Sequence, residues 1–201
     1  LPDALRGFQR AAPGSVTVLC SGVKDGKLLG VDPESFPALA RSGLWGAILV
    51  EADGSKGRPI KAPAAHEPAW PLGVTSAIGM VGLDCLGRPL DGGIAHRPEL
   101  LGAVVRLEAG EPITETAVLR LALHPDGLFK SAPESALRVL ALNKADQAWK
   151  VEPEALADRF AEGIARSAGL GPRVRIDLVL VCALAEAEPC RRVLAARAVS
   201  S

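Results

Sequence analysis

Five apolar runs, each closed by a polar or glycine-bearing loop, constrain this chain most: 16–20, 44–50, 76–81, 137–142 and 176–182. Most lack the polar alternation of a half-exposed strand, so they read as strands buried on both faces of a mainly parallel sheet. Helical patterns fall between them. The first, 33–42, is short, while 98–108 and 112–124 each open with a proline, which the first helical turn tolerates. Across 153–168, Leu156, Phe160 and Ile164 recur every four residues and Gly169 offers a C-terminal stop. A last helix is expected over about 188–198. Strand and helix in alternation predict βαβ units, and so a three-layer α/β fold on a mainly parallel sheet, in one domain over residues 1–201.

Charge narrows the choice of partner. With 23 basic side chains against 23 acidic ones, no net field favours nucleic acid or an anionic membrane, which leaves a small molecule or a protein. No apolar stretch approaches the roughly 18 residues of a spanning helix, and the opening Leu1-Pro2-Asp3-Ala4-Leu5-Arg6 lacks the apolar segment of a signal peptide. The expected setting is cytoplasmic. Cysteines 20, 85, 182 and 190 show neither a Cys-x-x-Cys pair nor a histidine at zinc-finger spacing, so they are expected as reduced thiols without a metal or redox role.

Two strand-ending loops carry the candidate chemistry. The run 44–50 leads into Glu51-Ala52-Asp53-Gly54, and 137–142 leads into Asn143-Lys144-Ala145-Asp146. Ligands of open parallel sheets bind at such carboxyl ends. An aspartate such as Asp146 can accept two parallel hydrogen bonds from the N1–H and exocyclic amine of guanine, a donor pair that adenine does not offer on that edge. Asn143 can tie the loop together, and the stem of Lys144 can cover a ring face with its ammonium in solvent. The plainer alternative is a polar turn in which Asp146 caps a short helix. Glu51 and Asp53 are candidates to hold Mg2+ or to orient an attacking water. Lys56, Arg58 and Lys61 could bind phosphate or another anion, or pair with those acids in a solvated turn.

The stretch 54–73 contains prolines 59, 63, 68 and 71, which exclude regular structure. Long irregular loops in compact domains usually serve a function. His66-Glu67 there could form a proton-transfer pair or be ordinary surface, and Arg97 is a further anion candidate.

The segment from Leu49 to Pro68 resembles the signature of the selenium-dependent hydroxylase accessory proteins, the YqeC-like family. Supporting segments in the same order are Gly26–Gly30, Val81–Leu90, His96–Glu99, Asp126–Lys130 and Leu142–Asp146. The resemblance implies a P-loop NTPase-like fold and a link to maturation of molybdenum-containing hydroxylases. It also implies a broader similarity to GTPases of metallocentre assembly, whose Glu-x-x-Gly element Glu51 to Gly54 would match. By that resemblance Glu51 is the magnesium- or water-organising acid, and Asn143, Lys144 and Asp146 contact the base of GTP or ATP bound with Mg2+. One departure stands out: residues 1–201 contain no Gly-rich phosphate loop ending in Gly-Lys-Thr. This unit is expected upstream of Leu1, the alternative being a form that has lost it; hydrolysis by residues 1–201 alone is not expected.

Two functions follow. The first is a nucleotide-binding, GTPase-type accessory protein that docks on a molybdenum hydroxylase or a cofactor-maturation protein. The second is a non-catalytic interaction module that uses the basic proline-rich loop to hold a partner protein or an anionic cofactor such as a molybdopterin nucleotide.

Overall fold

The structure, a computed structural model, describes residues 12–147, 152–167 and 174–196. Read from sequence as one domain, the chain divides into two compact units, Leu1–Ala52 with Ala69–Val74 and Asp53–Pro68 with Thr75–Ser201.

The first unit holds an antiparallel hairpin, β1 (Gly22–Lys24) with β2 (Lys27–Leu29), then a 3-10 turn and a short helix α1 (Phe36–Arg41). Asp25 and Gly26, at φ 51° and 74°, form the two-residue turn, a dipeptide suited to a reversal with both central residues left-handed. The 33–42 pattern therefore splits, with Pro33–Ser35 as the 3-10 turn. Two expected strands do not form. Segments 16–20 and 44–50 have no ladder partner among the described residues, and Val16 and Leu49 are both 90% exposed. Apolar content made them resemble strands, but a strand exists only where a neighbour takes its backbone hydrogen bonds.

The second unit is built on a four-stranded sheet in the order β4 (Ser76–Gly82), β6 (Leu137–Asn143), β7 (Leu178–Cys182), β8 (Cys190–Ala195). The first three are parallel, as expected from their apolar runs, with Ser76 opposite Leu137 and Val139 opposite Leu178. A separate two-stranded parallel ribbon pairs β3 (Ile60–Lys61) with β5 (Ala95–His96). Strand β8 is antiparallel to β7 and replaces the helix expected over 188–198. The open edge of β7 takes up its backbone groups, and a turn closed by Ala183 N–H to Pro189 O at 2.8 Å delivers it there.

Helices α2 (Pro98–Val105) and α3 (Glu115–Leu123) connect β4 to β6, and α4 (Pro153–Ser167) connects β6 to β7. Helix α2 ends three residues before the expected limit because Arg106 turns left-handed and its N–H caps Gly102 O. Helix α3 starts at the cap Thr114, whose hydroxyl accepts from Ala117 N–H. In α4 the four-residue repeat is the core face: Leu156, Phe160 and Ile164 are buried where the helix packs on β7 and β8.

The two faces of the sheet differ in burial. Its buried rank includes Ala77, Leu140, Leu142, Val179 and Val181, whereas Ile78, Met80 and Val193 on the opposite face stay about half exposed. Both crossovers step in the same direction along the sheet, which lays right-handed connections on one side. The unit is α/β on a mostly parallel sheet, as expected from the sequence. No described helix is long and apolar enough to cross a membrane.

Candidate functional site

Two polar clusters sit at the carboxyl ends of the parallel strands, and β4 links them. Gly82 at its end donates its N–H to Pro59 O at 2.8 Å, beside β3, and Asp84 two residues later pairs with Lys144 beyond β6.

The first cluster centres on Lys61, 7% exposed. Its ammonium donates to the Asp53 carboxylate, to Gly54 O at 3.0 Å and to Glu67 Oε2 at 2.8 Å, which uses all three of its protons. Glu67 is the hub: Oε2 also accepts from Ala64 N–H at 3.0 Å and from Arg97 Nη1 at 2.5 Å. Arg97 lies at the left-handed position, φ 58°, just before α2. Strain at such a position persists where the surroundings hold it, here through the guanidinium on Glu67. Lys130 Nζ adds bonds to Ala64 O and Ala65 O at 3.0 and 3.2 Å, so the end of the proline-rich loop is tied down from two sides.

The electrostatics follow from this geometry. The Arg97 bond, with help from Lys61 and Ala64 N–H, holds the Glu67 carboxyl far below the usual carboxylate range despite burial. Burial pushes Asp53 up against the pull of Lys61. Desolvation, then the cations Arg97, Lys56 and Lys61, holds His96 below its ordinary value, so its imidazole is neutral beside them.

The second cluster is the 143–146 loop. Asn143 Oδ1 accepts from Leu184 N–H at 3.0 Å and from the Cys182 thiol at 3.7 Å, and Ala145 N–H donates to Cys182 O at 3.0 Å. Asn143 therefore ties this loop to the end of β7. Lys144, at φ 62°, directs its ammonium onto Asp84 Oδ2 at 2.7 Å rather than into solvent. Asp84 Oδ1 is buried without a hydrogen-bond partner among the described residues. Asp146 is exposed and lines a cleft of about 470 Å³ with Ala145, Glu154, Glu188, Cys190 and Arg191. A cleft with three carboxylates and one guanidinium suits a ligand edge that donates hydrogen bonds better than it suits a phosphate.

Placed residue by residue, Asp53, Lys61 and Arg97 come together, and the two cations spend their charge on Asp53 and Glu67. Lys56 and Arg58 are exposed on the turn closed by Ser55 and Arg58. Glu51 is exposed in the first unit, whereas Asp53 belongs to the second. His66 is 79% exposed and stands 3.8 Å from Glu67 Oε1. Sequence reasoning missed Glu67 as a hub, together with Lys130, Asp84 and Cys182. Lys130 could have been sought as the last residue of the Asp126–Lys130 segment, but no local pattern marks which carbonyls it reaches.

Among the described residues no three His, Cys, Asp or Glu side chains converge to hold a metal ion. Asp53 is engaged by Lys61, which makes its carboxylate a poor ligand for a magnesium ion.

The fold and these loops define an α/β protein with its polar chemistry at the carboxyl ends of parallel strands. Comparison with known proteins finds two similarities. A family model described as "YqeC protein" matches residues 3–99. "Uncharacterized protein YqeC" of Escherichia coli (strain K12) is 34% identical over 122 residues, 61% of this chain and 48% of the relative. Residues 3–99 are thus similar to the YqeC family. It spans about half the length of the curated relative it matches. No solved structure matches it.

Proposed function

We propose that this protein is a guanine-nucleotide-binding, GTPase-type accessory protein that acts in maturation of a molybdenum-containing hydroxylase. The observation that carries the nucleotide reading is the exposed carboxylate of Asp146. It is exposed in a cleft, on a loop that Asn143 and Lys144 anchor by their side chains. A carboxylate so placed matches the two adjacent donors of guanine. The hydroxylase role rests on the family resemblance. When bound, a nucleotide brings Mg2+ on its own phosphates.

Isothermal titration of the full-length protein with GTP, GDP and ATP in Mg2+ tests the reading. GTP and GDP should bind more tightly than ATP. Asp146→Ala should weaken the guanine nucleotides about tenfold to a hundredfold, the value of a charged hydrogen-bond pair, and leave ATP unchanged. No binding of any nucleotide ends the proposal.

One observation favours the second reading, a non-catalytic module for an anionic cofactor. The 55–58 turn presents Lys56 and Arg58 to solvent while Lys61 and Arg97 are paired internally. Under that reading a molybdopterin nucleotide binds and Lys56→Ala abolishes it, with Asp146→Ala silent.

A further inference from the structure

Eight residues apart in sequence, Cys182 and Cys190 are Cα partners across the β7–β8 ladder, at the point where its register slips and Arg191 becomes the extra residue. Directly opposed residues on antiparallel strands lie about 4.5–5.5 Å apart at Cα, within the span of a disulfide. Both cysteines are free thiols in the structure, and their surroundings differ. Cys190 is exposed and lines the Asp146 cleft, whereas Cys182 is 1% exposed and donates its S–H to Asn143 Oδ1. Its backbone O receives Ala145 N–H.

We propose that Cys182 and Cys190 form a reversible disulfide that loosens the 143–146 loop when the protein meets a peroxide or a disulfide oxidant. With a peroxide, the exposed Cys190 thiol is oxidised first. Its sulfur takes one peroxide oxygen to become a sulfenic acid and releases the corresponding alcohol, or water from hydrogen peroxide. The Cys182 sulfur then attacks that sulfenic sulfur, and the S–S bond forms as water leaves with the Cys182 proton. Burial, then the neighbouring Cys190, holds the Cys182 thiol above its ordinary value, which suits it to the second step rather than the first. A dithiol reverses the bond by exchange.

The consequence for the loop is geometric. The disulfide removes the S–H that Asn143 Oδ1 accepts and draws the end of β7 toward β8, so the two backbone bonds anchoring the loop, Leu184 N–H to Asn143 and Ala145 N–H to Cys182, are disturbed together. Any effect of this on guanine binding rests on the function proposed above. The bond and the loosening do not.

The test uses the full chain, reduced and then treated with hydrogen peroxide, with oxidised glutathione as the disulfide oxidant, which is released as two glutathione thiols when the protein bond forms. Peptide mapping after alkylation should show residues 182 and 190 joined, lighter by two hydrogen atoms than the separate thiol peptides, and separated again by dithiothreitol. Cys190→Ser, at an exposed position, should lose the cross-link, while Cys20→Ser should keep it. Hydrogen exchange at the Leu184 and Ala145 amides should rise about fivefold on oxidation, the weight of one ordinary hydrogen bond. Cys190 ending as a sulfinic acid with Cys182 still alkylated overturns the proposal, and so does a cross-link that leaves both exchange rates unchanged. Neither readout uses a nucleotide, so its failure and that of the guanine reading are told apart.

Discussion

Replacing Lys61 with Met is expected to lower the unfolding free energy by about 3–5 kcal/mol, the cost of removing one partner from a buried ion pair. The ammonium is 6% exposed and its carboxylate partners Asp53 and Glu67 are 15% and 17% exposed, so solvent cannot take over what the lysine supplied. The substitution strands Asp53 and leaves two carboxylates facing each other with Arg97 as the remaining cation. Like charges with little water between them repel strongly. Urea denaturation of the variant should show a lower midpoint at an unchanged slope. The double variant Lys61→Met with Glu67→Gln should recover part of the loss, because it removes the charge left unpaired. A Lys61→Met midpoint equal to that of the parent would mean that the network is no more than a surface contact.

The same network sets an acid limit. The folded-state value of Glu67 is depressed below its ordinary 4.5, so its contribution is complete above that pH and is lost progressively as the pH falls below it. Asp53 acts with the opposite sign, since its raised value means that the folded protein takes up that proton more readily than the unfolded chain. The Glu67 shift is the larger, so the parent protein should lose urea stability as pH falls below 4.5. Glu67→Gln should flatten that loss. Parallel profiles for parent and variant would remove Glu67 from this role.

What the sequence revealed, and what it hid, divides along local and non-local physics. Strands 76–82 and 137–143 and the core face of α4 were legible because burial on two faces or on one helical stripe leaves a periodic trace in the chain itself. Segment 44–50 carried the same trace and has no ladder, since pairing depends on a neighbour that periodicity does not describe. Residues 190–195 carry alanine, leucine and arginine, good helix formers, and the free edge of β7 overrides that preference. The hairpin was signalled by Asp25-Gly26 and was passed over because its strands are only three residues long. In the candidate site, Asp53, Lys61, Arg97 and the 143–146 loop were named in advance as charged groups at loop positions. Their pairing was not, because Glu67 and Arg97 are thirty residues apart and meet only after β3 and β5 align. Cys182 and Cys190 read only as reduced thiols for the same reason: spacing along the chain says nothing of cross-strand register.

Gly127→Ala is expected to be at least as damaging as Lys61→Met, through backbone rather than charge. Gly127 follows α3 and donates its N–H to His124 O at 2.9 Å, and the next residue, Leu128, returns its own N–H to Leu121 O at 3.2 Å. The chain thus folds back against the last turn of the helix. A methyl group at residue 127 would fall on the carbonyl oxygen of Leu121 and within 2.9 Å of its carbonyl carbon and 3.0 Å of His124 O, all backbone atoms that no side-chain rotation can clear. Relief requires moving the 127–130 segment away from α3. That would withdraw Leu128 and Phe129, which lie against Gly79 of β4, and Lys130, whose ammonium holds the Ala64 and Ala65 carbonyls. Overpacking usually costs about 1–3 kcal/mol, and a clash with backbone belongs at or above the upper end. Thermal unfolding should show a large drop in midpoint, and hydrogen exchange at the Ala64 and Glu67 amides should rise in the folded variant as Lys130 lets go. A Gly127→Ala protein with parental stability and unchanged exchange at those amides would mean that the 127–130 turn does not brace the Glu67 loop.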